Sequence, residues 1–121
     1  MPRINVNLND VESGFEVYPD GQYVVQIQET SKIKKSDAGA YILWIAKILD
    51  GDYEGKLISW NTSLLPQSLW VLRSMLEVIE LEWDEEGFEM EDAFGLELGI
   101  ENEVRQYEGS DRNNVTRFFK I

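Results

Sequence analysis

The chain contains no cysteine and no histidine among its 121 residues. Disulfides and thiolate metal sites are therefore excluded, and the commonest general base and the commonest zinc ligand are both missing. No Gly-rich phosphate loop, no Gly-x-Ser-x-Gly elbow and no pair of carboxylates in a recognisable catalytic context is present. We therefore expect a protein that is not an enzyme and that uses no metal and no cofactor.

Long apolar runs are absent as well. The N-terminus has no apolar run of signal-peptide length, and no later segment approaches the length needed to cross a bilayer. No linker, repeat or low-complexity tract divides the chain. We expect a soluble intracellular protein without a membrane partner. Its single domain would span residues 1–121, with an irregular lead-in over residues 1–21.

Positive charge is scarce, since 11 Lys and Arg stand against 23 Asp and Glu, for a formal net charge of −12. Nine of these acids, and no base, lie between residues 77 and 92, which leaves 14 acids and 11 bases for the other 105 residues. Such a distribution permits a basic face elsewhere on the molecule. The acidic run lacks the spaced ligands of a calcium loop, so we interpret residues 81–93 as a solvated acidic loop.

Aromatic residues and alternating apolar patterns are plentiful, with four Trp, five Tyr and five Phe. Alternation of period two between turn residues predicts five strands. These span residues 22–33, 40–49, 54–63, 96–106 and 115–121. Apolar residues spaced three and four apart after Pro66 predict one helix over residues 66–80. This order is that of an OB-fold, a mainly β, five-stranded Greek-key barrel with its helix between strands three and four.

Three segments of the sequence resemble an uncharacterised family of phage proteins encoded near replication and recombination genes. They are Pro19-Asp20-Gly21-Gln22-Tyr23, Leu49-Asp50-Gly51-Asp52-Tyr53-Glu54-Gly55-Lys56, and the helix from Leu69 to Leu76. The resemblance extends from about Phe15 to Arg112-Asn113-Asn114-Val115. It implies an OB-like fold and a phage single-stranded DNA-binding protein in the host cytoplasm, acting with phage replication or recombination proteins. Residues 115–121 predict a strand, whereas many single-strand-binding proteins end in an acidic tail.

The ligand of an OB barrel crosses the face of strands two and three, between the loops that join strands one to two and four to five. Both loops carry basic residues, which are suited to phosphates. The first loop contains Lys32, Lys34 and Lys35, and the second contains Arg105, Tyr107 and Arg112. These two basic loops are the main indication of nucleic-acid binding, although Lys-rich turns are also ordinary solvated surface.

Further candidates lie on the predicted strands. Trp44 and Trp60 are candidates to stack on bases, with burial in the core as the alternative for each. Lys47 and Lys56 are candidates to contact phosphates, or else cover apolar surface with their side-chain stems. The other two tryptophans flank the helix and are expected to be packing residues.

The leading hypothesis is sequence-tolerant binding of single-stranded DNA in phage replication or recombination. The main alternative is an acidic protein-interaction module that binds no nucleic acid and recruits a basic partner, by imitating DNA or otherwise. A virion structural protein is a third hypothesis, and self-association through an exposed strand edge stays open.

Overall fold

The computed structural model describes residues 16–121, so most of the predicted lead-in lies outside the described residues. The protein is mainly β, with one helix between the fourth and fifth strands. The strands are β1 (Gly21–Ile27), β2 (Lys32–Ser36), β3 (Gly39–Ile48), β4 (Leu57–Ser63), β5 (Glu97–Tyr107) and β6 (Ser110–Phe119). The helix is α1 (Leu69–Val78), and single 3-10 turns occur at Gly51–Tyr53, Pro66–Ser68 and Met90–Ala93.

All six strands form one antiparallel sheet in which β3 has neighbours on both edges. On one edge β3 pairs with β2 near its beginning and with β1 near its end. On its other edge β3 pairs with β4 over residues 41–47. Strand β1 continues the sheet to β5, and β5 pairs with β6. The resulting order is β2-β3-β1-β5-β6, with β4 attached separately to β3.

The prediction of one first strand over residues 22–33 is wrong, because the chain leaves the sheet between β1 and β2. A turn at residues 28–31 is closed by Ser31, whose backbone N–H donates to the Gln28 carbonyl at 3.2 Å. The Ser31 hydroxyl then accepts from the Ile45 N–H at 2.8 Å and donates to the Ile45 carbonyl at 3.2 Å. The Ser31 hydroxyl thus pairs the Ile45 N–H, and the Gln28 N–H donates to the Ile45 carbonyl at 2.8 Å, so the interruption leaves neither backbone group of Ile45 unpaired.

The prediction of a five-stranded Greek-key barrel is confirmed only as a mainly β fold, because the described part of the chain has six strands in one antiparallel sheet that does not close into a barrel. Within residues 16–121, β4 and β6 are not joined by backbone hydrogen bonds, so the sheet remains open. The two strands approach through side chains, since the rings of Trp60 and Phe118 lie 5.9 Å apart. Helix α1 contacts both strands. Side-chain packing therefore joins β4 to β6, where a closed barrel would have a ladder.

The core lies between the inner side of the sheet and α1. Alternate residues of β3, namely Ile42, Trp44, Ala46 and Ile48, are buried there with Ile58 and Trp60 of β4. Helix α1 contributes Leu72, Met75 and Leu76, at the spacing of three and four that places them on one face. The predicted helix is thus confirmed as an element, although residues 66–68 form a 3-10 turn and α1 ends at Val78.

Replacing Ser31 with Ala should destabilise the protein by about 1–3 kcal/mol, because the buried backbone N–H of Ile45 loses its hydrogen-bond acceptor. Urea unfolding followed by circular dichroism measures this change in the free energy of unfolding. Ser36→Ala is the matched control, since Ser36 is exposed in the neighbouring strand. Equal stability of the two variants would contradict the role assigned to Ser31.

Candidate nucleic-acid interface

Cross-strand register shows which side chains share the side of the sheet that faces away from the core. Directly paired residues of antiparallel strands point to the same side, so each pair can be followed across the sheet. Three rows cross β3 on this side, namely Lys34–Tyr41–Ser63, Lys32–Leu43–Asn61 and Gln26–Lys47–Leu57. We call this surface, with Ile45 and Ser59, the outer face.

The outer face is basic on β2, β3 and β4, in an acidic protein, although its Gln26–Lys47–Leu57 row continues from β1 to Glu97 on β5. Strands β2, β3 and β4 contain four lysines and no Asp or Glu in their sequences. Three of the lysines, Lys32, Lys34 and Lys47, lie on the outer face by register. Lys32 and Lys47 are exposed, and Lys34 is half-buried beside the half-buried ring of Tyr41. This surface therefore presents cations next to an aromatic side chain.

Lys32, Lys34 and Lys35 were predicted to lie in a loop, but the structure places all three in β2. The turn between β2 and β3 is shorter than predicted and consists of Asp37 and Ala38. Lys35 pairs with Ala40 and so points to the opposite side from Lys32 and Lys34. Because successive side chains of a strand point to opposite sides, the three lysines do not form the single basic group that was predicted.

Two tryptophans of the predicted site are in the core, and their assignment as stacking residues is corrected. Trp44 is 0% exposed, and its indole N–H donates to the Thr62 hydroxyl at 2.9 Å. Trp60 is 6% exposed and pairs with Trp44 across β3 and β4. Both indoles point to the core because they are in phase with Ile42 and Ile58. Neither reaches a base in this conformation.

Tyr41 is the aromatic residue of the outer face, and it was missing from the sequence-based site. Its signal was present in the sequence, because Tyr41 is in phase with Lys47 and out of phase with Trp44. Once Trp44 is assigned to the core, period two places Tyr41 and Lys47 together on the other side. A comparison of phase along β3 would therefore have replaced Trp44 with Tyr41 as the candidate residue for stacking on bases.

The second predicted basic group lies at the tip of the hairpin formed by β5 and β6. Arg105 and Arg112 are directly paired, and the Arg112 guanidinium lies 5.2 Å from the centre of the Tyr107 ring. Glu108 and Gly109 form the two-residue turn with φ of 51° and 82°, as hairpins with this loop length prefer. The tip is mixed in charge, because Arg105 contacts Glu103 at 3.3 Å.

The hairpin tip and the outer-face lysines of β2 lie at opposite ends of β1. Gly21, the first residue of β1, pairs with Asn102, so the tip projects beyond that end. Strand β2 follows the other end of β1. Seven residues of extended chain span about 23 Å. One ligand has to be at least this long to contact both groups.

Lys56 is not part of the outer face. Its ammonium lies 2.7 Å from a carboxylate oxygen of Glu16, and both side chains are about half exposed. The hydrogen bond from this ammonium to Glu16 raises the pKa of Lys56 above its ordinary value. Lys56 lies just before β4, and its backbone carbonyl accepts from Ile48. The Lys56 ammonium, which was predicted to contact phosphate, is therefore engaged in an ion pair at this end of the sheet.

Trp70 and Trp83 are exposed, which corrects the expectation that they pack in the interior. Trp70 is 69% exposed on α1, and Trp83 is 43% exposed in the segment after it. Helix periodicity explains the exposure of Trp70, since this residue lies outside the buried stripe formed by Leu72, Met75 and Leu76. Neither indole belongs to the outer face.

Residues 16–121 show neither a metal-binding cluster nor a membrane-spanning helix. This part of the chain holds no group of three or more acidic, histidine or cysteine side chains placed to ligate a metal ion. None of the helices in these residues combines the length and the apolar character needed to span a membrane.

A family model described as "Protein of unknown function (DUF669)" matches residues 4–78. The chain belongs to this family. The match covers β1 to β4 and ends with α1, so the outer face of this DUF669 protein lies within it. The hairpin tip and most of the acidic segment lie beyond the match. No curated protein matches the chain significantly. Membership of an uncharacterised family is thus confirmed, while phage origin stays a prediction.

Replacing Trp70 and Trp83 together with Phe should shift the tryptophan emission to shorter wavelength and reduce its quenching by acrylamide. The two remaining indoles, Trp44 and Trp60, are buried and therefore shielded from water and quencher. The wild-type protein, folded and in urea, provides the partly and fully accessible references. Quenching of the double variant that equals that of the folded wild type would contradict the assigned burial.

Proposed function

We propose that this DUF669 protein binds single-stranded DNA through the outer face, without sequence preference and without catalysing a reaction on it. The observation that supports this most strongly is the charge distribution of β2, β3 and β4, which have four lysines and no acid in a chain of net charge −12. Phosphate binding depends on such cations, because they displace the counterions of the nucleic acid. The local charge of the contact surface therefore outweighs the net charge of the chain.

The chemistry of the outer face suits a single strand better than a duplex. Tyr41 lies between Lys34 and Ser63 in one row, so an aromatic ring has a cation on one side and a hydroxyl on the other. Unpaired bases stack on such rings, whereas the bases of a duplex are already stacked on each other. Asn61 and Ser59 add hydrogen-bonding groups on β4. Contacts of this kind tolerate any base sequence.

We also propose that the open sheet is related to an OB-fold. Three features support this: the helix lies between β4 and β5, β3 pairs on both edges, and α1 bridges β4 and β6. The OB-fold is a partly open barrel whose ligands cross the strands that correspond here to β3 and β4. The outer face and the hairpin tip then correspond to its usual binding surface and one flanking loop. Together with the resemblance to phage proteins, this supports a role in phage replication or recombination.

Neutralising two lysines of the outer face should weaken binding of oligo-dT roughly tenfold and lower its salt dependence. The variant is Lys32→Gln with Lys47→Gln. Each lost phosphate contact removes roughly 0.7 from the slope of log affinity against log salt concentration for a single strand. Fluorescence anisotropy of a labelled oligo-dT, titrated at several salt concentrations with a duplex control, measures both quantities.

The control variant for this experiment is Lys35→Gln with Lys120→Gln, which changes the net charge equally. Lys35 points away from the outer face, and Lys120 forms an ion pair with Glu80. We expect its affinity and salt slope to stay close to those of the wild type. Equal losses in both variants would mean that net charge, rather than the outer face, determines binding. Absence of wild-type binding at low salt would favour the acidic interaction module.

Replacing Tyr41 with Ala should weaken binding of oligo-dT by about 1–3 kcal/mol per stacked base while leaving the salt slope unchanged. The reason is that stacking involves no counterion release. Tyr107→Ala tests the hairpin tip in the same way, and we expect a smaller loss there. A loss confined to the Tyr107 variant would place the contact at the hairpin tip instead of the outer face.

A further inference from the structure

A second surface of the molecule exposes apolar side chains on the far side of α1. Trp70, Leu69 and Trp83 are all exposed, and together they line a groove of about 510 Å³. Leu64 and Phe88 form part of its floor and wall. Single exposed apolar residues are ordinary, whereas a concave surface that brings together two exposed indoles is typical of a binding site. We call it the tryptophan groove.

Backbone hydrogen bonds hold the wall of this groove in place. Helix α1 ends in a turn in which Glu80 has a φ of 58° and the Leu81 N–H donates to the Leu76 carbonyl at 3.0 Å. A second turn pairs the backbones of Asp84 and Gly87 in both directions, at 3.0 and 3.1 Å. Trp83 lies between these two turns. The groove is therefore formed before any partner binds, which lowers the entropy cost of binding.

Carboxylates lie next to the tryptophan groove on the side of Trp83. Trp83 also lines two neighbouring depressions, one with Glu77, Glu80 and Glu82 and the other with acids from Glu82 to Asp92. Glu77 and Glu80 have basic partners, Arg73 and Lys120. The other seven acids of the segment form no ion pair within residues 16–121, and all are exposed. An apolar groove thus adjoins a surface of uncompensated negative charge.

Arg73 is the one base among the side chains that line the tryptophan groove, and its charge is already engaged. Its guanidinium contacts a Glu77 carboxylate oxygen at 2.9 Å and lies 5.8 Å from the centre of the Trp83 ring. Arg73 is thus paired with Glu77 and leaves the seven acids without an ion pair in residues 16–121 uncompensated. The partner has to bring the positive charge.

We propose that the tryptophan groove docks a basic amphipathic segment of a partner protein. Apolar side chains of the segment insert between Trp70 and Trp83, and its Lys or Arg side chains meet the surrounding carboxylates. Grooves of this type bind amphipathic segments through apolar anchors at helical spacing. Tryptophan is enriched among the residues that dominate binding energy, and complementary charge adds rate and selectivity.

The negative charge beside the groove favours a basic partner segment over the other molecules that could bind there. Residues 1–15 of this chain contain one Arg and two acids, so they offer no excess of positive charge. A second copy docked by its own groove would bring two acidic segments together, since a twofold contact uses the same surface on both sides. Nucleic acid is repelled by the same carboxylates. The proposed docking lies outside the outer face and does not depend on DNA binding.

The test uses the full-length protein and a labelled peptide of Leu and Lys, with leucines at positions i, i+3, i+4 and i+7. We expect saturable binding by fluorescence anisotropy, weakened at least about tenfold by Trp70→Ser. Ile33→Ser is the matched control, because Ile33 is similarly exposed on β2 and should leave the affinity unchanged. A weaker affinity is also expected for Glu82→Gln with Glu86→Gln, but not for Glu54→Gln with Glu108→Gln.

Several outcomes would overturn the proposal. They are absence of binding to the wild type, equal binding of a peptide with Glu in place of Lys, and unchanged affinity in the Trp70 variant. A peptide of residues 1–15 that competes with the Leu/Lys peptide would instead identify this chain's own segment as the occupant. Sedimentation equilibrium showing a dimer that Trp70→Ser dissociates would identify a second copy.

Discussion

The pairing of Trp44 with Trp60 across β3 and β4 is the constraint on which the two sides of the sheet depend. Trp44 donates its indole N–H to Thr62 inside the core, so its position is set by a hydrogen bond as well as by burial. A shift of the register by one residue would bury Lys47 and Tyr41 and leave that N–H without its acceptor. The basic character of the outer face is thus a consequence of how the core is packed.

Strand β3 can support a face of this kind because it is hydrogen-bonded on both edges. Its partners on one edge, β1 and β2, are separated by a turn, and the Ser31 hydroxyl supplies the acceptor that the Ile45 N–H would otherwise lack. Both strands run antiparallel to β3, so β2 continues along the same edge and carries its lysines past the first half of β3. The interruption between β1 and β2 therefore brings the lysines of β2 beside β3 and leaves the backbone hydrogen bonds of β3 intact.

The lysines of the outer face and the acids of the segment after α1 lie on different elements of the fold. The strands that form the outer face contain no acid, and the segment after α1 contains nine acids and no base. The two surfaces differ in their exposed aromatic side chains as well, because the outer face has one half-buried tyrosine and the tryptophan groove has two exposed indoles. This division is compatible with one surface that binds a polyanion and another that binds a basic protein segment.

Sequence periodicity determined that strands precede and follow one helix and located the acidic segment, because these features depend on neighbouring residues, but it did not show the interruption between β1 and β2. Period two along β3 also determined which residues share a side. The tertiary structure alone decided which side faces the core, and so removed Trp44 and Trp60 from the site and exposed Trp70 and Trp83. It also decided that β4 and β6 pack through Trp60 and Phe118 without a ladder. Burial and strand closure depend on contacts between residues far apart in the chain, which local patterns do not contain.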